Sequence, residues 1–234
     1  MGFLVDQDIK VLCLDIDGTL YPKRMLNARM LRSAFPSLPL GLGFNQVRQE
    51  YRRVQDSEPT VPADRQGLLQ RQAHLMLSHL GKKHDANSVE AMMARLDRQF
   101  YQAWQRSFLS IKGSAHMREA LVKAKQQGLK IAVFSDFPVA RKLETLGIDS
   151  LVDLALSSED SGYLKPSPKA FSYLLAHLDG SPSEMLYVGD SYSKDCQGAK
   201  RMGMRSCLLT RSRGEFSDAD LVVSSWKEFI SLLL

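Results

Sequence analysis

The segment that most constrains the fold is a short apolar run that ends in two acidic residues. Val11-Leu12-Cys13-Leu14 leads into Asp15 and Asp17, and the turn residues Gly18-Thr19 follow. Four apolar residues before a turn indicate a strand buried on both faces, as in a parallel sheet covered by helices. Carboxylates at the end of such a strand are costly unless paired, so they favour a shared cation and catalytic roles. The alternative is a solvated turn, where Asp and Gly are common.

The same arrangement recurs further along the chain. Three later apolar runs, residues 130–134, 154–156 and 185–189, lead respectively into Ser135-Asp136, into a polar segment ending at Lys165-Pro166, and into Asp190. Helical patterns separate these runs, and strands that alternate with helices predict a parallel sheet with right-handed crossovers. Because ligands bind outside the carboxyl ends of the strands in such sheets, we expect these polar residues to share one site.

Taken together, these segments resemble the haloacid dehalogenase-like hydrolase superfamily. Asp15-Ile16-Asp17-Gly18-Thr19 is similar to its first motif, Ser135 to its second, Lys165-Pro166 to its third, and residues 189–195 to its fourth. The resemblance covers about residues 8–22 and 112–225, which are the sheet-forming parts. It implies an α/β fold: a Rossmann-like parallel sheet with helices on both faces and an inserted all-helical cap domain.

The resemblance also implies a mechanism and a metal site. Asp15 would attack phosphorus to form an aspartyl-phosphate, while Asp17 would protonate the leaving oxygen and later accept a proton from water. This double role favours a phosphatase over a dehalogenase, since a halide leaving group needs no proton. Mg²⁺ would screen the repulsion between the carboxylate of Asp15 and the phosphate that it attacks. Its implied ligands are the carboxylates of Asp15 and Asp190 and the main-chain carbonyl of Asp17, while Asp195 would orient either a metal-bound water or Lys165.

The phosphate-binding residues implied by the resemblance come from the second and third motifs. Ser135 and the backbone N–H of Asp136 would hold the phosphoryl oxygens, and Lys165 would neutralise their charge. Two alternatives stay open at this point. Lys165 taken alone reads as a solvated loop lysine, and Asp136 reads equally as a turn residue whose side chain has no catalytic part.

The chain divides into a core domain of residues 1–21 and 111–234 and a helical cap domain of residues 22–110. Two helical patterns stand out in the predicted cap, over residues 64–80 and 88–108. The last part of the chain predicts further strands at residues 206–209 and 221–223.

Composition limits the partners. The net charge is +5, but the basic residues are scattered and do not alternate with aromatic residues, so we expect no nucleic-acid partner and a mild attraction for small anions. The sequence has no apolar stretch of membrane-spanning length, which predicts no membrane partner. Its three cysteines have no metal-like spacing and suit a reducing cytoplasm. We expect a monomer or a homodimer.

The predicted function is a Mg²⁺-dependent phosphatase that hydrolyses a small phosphomonoester metabolite of nucleotide, sugar phosphate or phosphoglycolate type. The alternatives are a phosphotransferase or phosphomutase on the same scaffold and, with less support, a haloacid dehalogenase or a non-catalytic binding module. Lys23 and Arg24 follow the first motif, where they would grip a second anionic group or simply be solvated. The sequence does not identify the substrate.

Overall fold

The computed structural model describes residues 3–25, 28, 38–109, 111–139 and 141–233. A six-stranded parallel sheet forms its centre, in the spatial order β3-β2-β1-β4-β5-β6. The strands are β1 (Val11–Leu14), β2 (Lys130–Ser135), β3 (Leu154–Ser157), β4 (Met185–Gly189), β5 (Arg205–Leu209) and β6 (Leu221–Val223). The predicted fold class, a Rossmann-like parallel sheet, is confirmed.

The register of the sheet brings the polar residues after the strands to one edge. Leu14 lies beside Val133 of β2 and Val188 of β4, so these three strands end almost level. The backbone N–H of Asp15 continues the ladder to the carbonyl of Val188 at 2.9 Å. Because β1 is central and its four residues are fully buried, the residues that follow it emerge in the middle of the carboxyl edge.

Helices cover the sheet and fill the segment between β1 and β2. They are α1 (Phe3–Asp6), α2 (Leu38–Val54), α3 (Arg65–His79), α4 (Ala86–Leu96), α5 (Gln102–Phe108), α6 (Met117–Gln126), α7 (Lys142–Leu146), α8 (Pro168–Leu175), α9 (Gln197–Arg201) and α10 (Trp226–Leu233). Side-chain capping explains where two of these helices begin. Asp64 accepts a hydrogen bond from the N–H of Gly67 at the start of α3, and Ser167 caps α8, which begins with a proline.

Helices α2 to α5 lie within the predicted cap, and the six strands lie within the predicted core. Both predicted helical patterns correspond to helices, although the second consists of α4 and α5 joined by a π-helical turn, Asp97–Tyr101. The division into two domains itself stays a prediction.

Buried apolar side chains connect the inserted helices with the sheet. One continuous cluster includes Leu12 and Leu14 of β1 together with Phe44 of α2, Met76 of α3 and Trp104 of α5. Removing such surface from water is favourable, so the inserted helices are held against the carboxyl edge of the sheet. Among the described residues, no helix is both long enough and apolar enough to cross a membrane.

Candidate active site

Asp15 lies at the centre of the carboxyl edge and is 5% exposed. One carboxylate oxygen accepts a hydrogen bond from Lys165 Nζ at 2.7 Å, and the other accepts from Thr19 Oγ1 at 3.1 Å. Burial raises the pKa of Asp15 to about 6, although the charge of Lys165 acts in the opposite direction. The carboxylate is therefore fixed in orientation and stripped of most of its water.

Lys165 is almost completely buried and joins Asp15, which follows β1, to two groups on and just after β4. Its ammonium donates to Asp15 and to Asp195, each at 2.7 Å, and contacts the hydroxyl of Tyr187 at 2.8 Å. Burial lowers the pKa of Lys165, but the carboxylates of Asp15 and Asp195 outweigh it and raise the pKa well above its ordinary value. The reading of Lys165 as a solvated loop lysine is wrong, and Tyr187, on the apolar strand β4, is an addition that the sequence did not reveal.

Three carboxylates lie close enough to share a cation. Oxygen atoms of Asp15, Asp190 and Asp195 all lie within 4.8 Å of one another. One carboxylate oxygen of Asp190 accepts from Lys23 at 2.8 Å, while the other is buried and has no hydrogen-bond partner among the described residues. A buried oxygen without a donor is costly, and oxygen ligands of this kind are those that Mg²⁺ prefers. The donor set therefore fits the predicted metal.

The backbone after Asp17 keeps this space open. Gly18 has a φ of +112°, and a Cβ atom placed on it would lie 2.4 Å from a carboxylate oxygen of Asp190. Any side chain at this position would collide with the acidic cluster and would also adopt a strained backbone conformation. Glycine is thus required where the first and fourth motifs meet.

Asp17 does not join the acidic cluster through its side chain. Its carboxylate accepts hydrogen bonds from Lys142 at 2.9 and 3.1 Å, from Ser135 Oγ at 3.1 Å and from the hydroxyl of Tyr21. Burial raises the pKa of Asp17, but Lys142 and the hydrogen bonds outweigh it and leave the pKa below its ordinary value. The structure brings Asp17 and Ser135 together as predicted, whereas Lys142 was not predicted. The proposed role of the Asp17 carbonyl toward the metal stays a prediction.

The side chain of Asp136 serves the surrounding loops. Its carboxylate accepts from Arg52 at 2.7 Å, from Ser158 Oγ at 3.0 Å and from the backbone N–H of Lys165 at 3.0 Å. Burial alone would raise the pKa of Asp136, but Arg52 and neighbouring lysines lower it well below its ordinary value. The alternative in which this side chain is structural fits these contacts, and the role of its N–H toward phosphate stays a prediction.

Helix α2 of the inserted segment holds the loop that carries Lys165. Arg52 donates to the carbonyl oxygen of Lys165 at 3.0 Å, besides its bond to Asp136. Gln55, one turn further, pairs its amide with the backbone of Leu164 through two hydrogen bonds of 2.9 and 2.8 Å. Arg52 and Gln55, both from the predicted cap, thus bind the backbone of two neighbouring residues, Lys165 and Leu164.

A second contact of α2 is buried more deeply. Arg48 is 3% exposed, pairs with Glu159 and donates to the carbonyl of Asp136 at 3.0 Å. The hydroxyl of Tyr101 donates to the same Glu159 oxygen at 2.9 Å. In the sequence, Arg48 and Arg52 are two of many scattered basic residues, because their partners lie about a hundred residues away in the chain and leave no local signal.

Comparison with known proteins identifies the family. The sequence pattern that defines the haloacid dehalogenase-like hydrolases matches residues 9–203, so the chain belongs to this family. The predicted resemblance and the prediction of an enzyme of this family are confirmed. Glyceraldehyde 3-phosphate phosphatase of Methanopyrus kandleri is 29% identical over 217 residues, which cover 91% of this chain and 88% of the relative.

Solved structures share the fold. A haloacid dehalogenase-like (HAD) hydrolase of Bacillus subtilis bound to magnesium is similar, with a TM-score of 0.66 at 17% identity. The match covers 96% of this chain and 98% of the other chain. L-2-haloacid dehalogenase of Xanthobacter autotrophicus is similar with a TM-score of 0.62 at 19% identity, over 96% of this chain and 98% of its own. Because this fold occurs both in a magnesium-bound hydrolase and in a haloacid dehalogenase, the fold does not identify the reaction, which has to be argued from the side chains.

Proposed function

We propose that this chain is a Mg²⁺-dependent phosphatase that hydrolyses a small phosphomonoester through an aspartyl-phosphate on Asp15. The observation that carries the proposal is the carboxylate of Asp15: it is buried, held by Lys165 and Thr19, and lies within 4.8 Å of two further carboxylates. A carboxylate held in this way is suited to nucleophilic attack, and the adjacent acidic cluster is suited to a hard cation. When Mg²⁺ is bound by Asp15 and Asp190, it supplies positive charge that offsets the repulsion between nucleophile and phosphoryl group.

The first chemical step forms a bond between a carboxylate oxygen of Asp15 and phosphorus while the bond from phosphorus to the leaving oxygen breaks. The leaving oxygen takes a proton from Asp17 and departs as an alcohol. The incoming phosphoryl group is an anion, so its arrival beside Asp17 favours the protonated form of that carboxyl group. In the second step a water molecule loses a proton to Asp17 and attacks phosphorus, which releases phosphate and restores Asp15.

Two further groups hold the transferring phosphoryl group. Ser135 Oγ lies beside Asp17 and, with the backbone N–H of Asp136, would donate to the phosphoryl oxygens. Lys165 would neutralise the charge that these oxygens share in the transition state. Asp195 orients Lys165 through its 2.7 Å contact, which supports the second of its two predicted roles.

The contacts of Asp17 support hydrolysis of phosphate esters over dehalogenation. A halide leaves without a proton, so a dehalogenase would not need the acid role that we propose for Asp17, whose carboxylate is held by Lys142, Ser135 and Tyr21. The relative named for glyceraldehyde 3-phosphate supports a small phosphorylated metabolite as the substrate. We further propose that the enzyme is cytoplasmic, is a monomer or homodimer, and has no nucleic-acid or membrane partner. Its cysteines are free and buried, which is consistent with a reducing compartment.

The test is release of inorganic phosphate from a panel of phosphomonoesters by the purified chain with Mg²⁺. We expect release by the wild type and none by Asp15→Asn, since an amide cannot form the aspartyl-phosphate. Asp149→Asn is the matched control. Asp149 is exposed and lies just before the amino end of β3, whereas the site lies at the carboxyl ends of the strands. Release by Asp15→Asn at the rate of this control would remove Asp15 from the nucleophile's role.

A further inference from the structure

Lys23, which follows the first motif, is the cation that pairs with Asp190. Its ammonium donates to one carboxylate oxygen of Asp190 at 2.8 Å, and among the described residues it is the ion-pair partner of this carboxylate. The carboxylates of Asp15 and Asp195 have a different cation, since both pair with Lys165. Lys23 therefore neutralises the one carboxylate of the acidic cluster that is not paired with Lys165.

The backbone after the first motif places Lys23 at this point. Tyr21 is fully buried, and its hydroxyl donates to Asp17. The ring of Tyr21 also makes an edge-on contact with the ring of Phe108, at 5.6 Å between centroids. Because Tyr21 is fixed to the site and Lys23 follows two residues later, Lys23 is held near the acidic cluster where the chain leaves the sheet for the predicted cap.

The groove beside Lys23 offers its ammonium no other carboxylate. Lys23 lines this groove together with Arg24, His116, Arg211 and Lys227, and none of the described residues that line it is acidic. Positive charges on this side repel the ammonium, whereas the carboxylate of Asp190 attracts it. The side chain of Lys23 is nevertheless 53% exposed, so it can leave Asp190 for water while its surroundings stay folded.

A divalent cation and Lys23 compete for the same carboxylate. Mg²⁺ binds oxygen ligands at about 2.1 Å, so an ion at either oxygen of Asp190 would lie within about 7 Å of the ammonium in its observed position. Like charges at this distance repel each other. The side chain of Asp190 is only 11% exposed, so water screens this repulsion in part.

We propose that Lys23 is a counter-ion that a divalent cation displaces from Asp190, and that this competition sets the affinity of the metal site. The inference rests on the proposed Mg²⁺-dependent function and adds a residue that regulates its metal site. In metal-free solution Lys23 balances the charge of Asp190, and when the ion binds, the ammonium moves into water. Metal binding thus breaks a contact between the sheet and the linker to the predicted cap.

Isothermal titration calorimetry of Mg²⁺ into the metal-free full chain measures this affinity without a phosphatase assay. We expect Lys23→Met to bind Mg²⁺ about tenfold more tightly than the wild type, because methionine removes the repelling charge and keeps an unbranched side chain. Arg24→Met is the matched control, since Arg24 is the next residue, is exposed and lines the same groove. It should change the affinity by about twofold or less, because water and salt screen an exposed charge that does not contact the cluster.

Thermal unfolding gives a second measurement, in which the sign depends on the metal. In metal-free buffer Lys23→Met should unfold at a lower temperature than Arg24→Met, because the largely buried carboxylate of Asp190 loses its cation. Saturating Mg²⁺ should raise the unfolding temperature of Lys23→Met more than that of the wild type, since a ligand that binds more tightly stabilises the folded state more.

Unchanged or weaker Mg²⁺ binding by Lys23→Met, or an equal gain in Arg24→Met, would overturn the role of Lys23 and leave the phosphatase intact. A Lys23→Met protein as stable as Arg24→Met in metal-free buffer would contradict that role as well. If the wild type bound no Mg²⁺, the metal-dependent function would fail and this inference with it. Calorimetry and phosphate release therefore distinguish the two failures.

Discussion

Replacing Arg52 by glutamine tests whether helix α2 fastens the active-site loops. Arg52 lies on α2 and donates to the carboxylate of Asp136 at 2.7 Å and to the carbonyl of Lys165 at 3.0 Å. Glutamine is shorter and neutral, so both charge-assisted hydrogen bonds are lost. The carboxylate of Asp136, which is 5% exposed, then stays buried without its cation.

The size of the effect follows from these contacts. Hydrogen bonds to charged groups contribute more than neutral ones, and removal of one partner from a buried ion pair leaves an uncompensated charge, so we expect a loss of about 2 to 4 kcal/mol in the free energy of unfolding. The upper end of this range is not reached if Ser158 and the N–H of Lys165 keep their bonds to Asp136.

The loss should depend on pH in one direction. Burial alone would raise the pKa of Asp136, but Arg52 and other cations hold it well below the ordinary value in the folded chain. A carboxyl group with a lowered folded-state pKa stabilises the fold above its unfolded-state pKa, and this stabilisation disappears as the pH falls through the folded-state pKa. The difference in the free energy of unfolding between wild type and Arg52→Gln should therefore have its full size above about pH 5 and become smaller below about pH 4.

Urea unfolding followed by circular dichroism at several pH values measures both effects. Arg53→Gln is the matched control, since Arg53 is the next residue on α2, carries the same charge and is exposed. Equal losses in Arg52→Gln and Arg53→Gln, or a loss in Arg52→Gln that does not change between pH 7 and pH 3, would refute this reasoning.

Three further predictions concern the site itself. Gly18→Ala should abolish phosphate release while the fold persists, because its Cβ would lie 2.4 Å from Asp190; wild-type kcat in a folded Gly18→Ala protein would disagree with the geometry. Chelation should stop phosphate release and Mg²⁺ should restore it, whereas Ca²⁺ should inhibit because its larger, looser coordination misplaces the nucleophile; full release in excess chelator would exclude a metal-dependent step. Tyr187→Phe removes a 2.8 Å partner of Lys165 and should lower kcat about tenfold with little change in KM, which steady-state kinetics can check.

The sequence predicted the residues that follow strands because their position is a matter of pattern. Asp15, Ser135 and Asp190 each come directly after an apolar run, and parallel strands in register bring such residues to one edge. Lys165 follows its strand at a distance, and only its place in an ordered set of motifs made it a candidate. These predictions needed only the order of apolar runs, polar residues and motifs along the chain, and no knowledge of tertiary contacts.

The residues that the sequence missed depend on contacts between distant elements. Lys142 and Arg52 are basic residues on helices, each next to an arginine in the chain, and nothing in their neighbourhood indicates that one pairs with Asp17 and the other with Asp136. Helix α2 itself has Pro39, Gly41 and Gly43 near its start, which weakens the helix signal. Its position comes from its apolar contacts and from the loops it binds, which are properties of the folded chain.

The most direct test of the account is to trap the phosphoryl group on the chain. The Mg²⁺-loaded enzyme is mixed with a cleavable phosphomonoester, quenched in acid within one turnover, digested and examined by mass spectrometry. We predict one phosphoryl group on the peptide that contains Asp15 in the wild type and none in Asp15→Asn. Phosphate release with an unmodified Asp15 peptide, or a phosphoryl group on another residue, would contradict the central claim that Asp15 is the nucleophile.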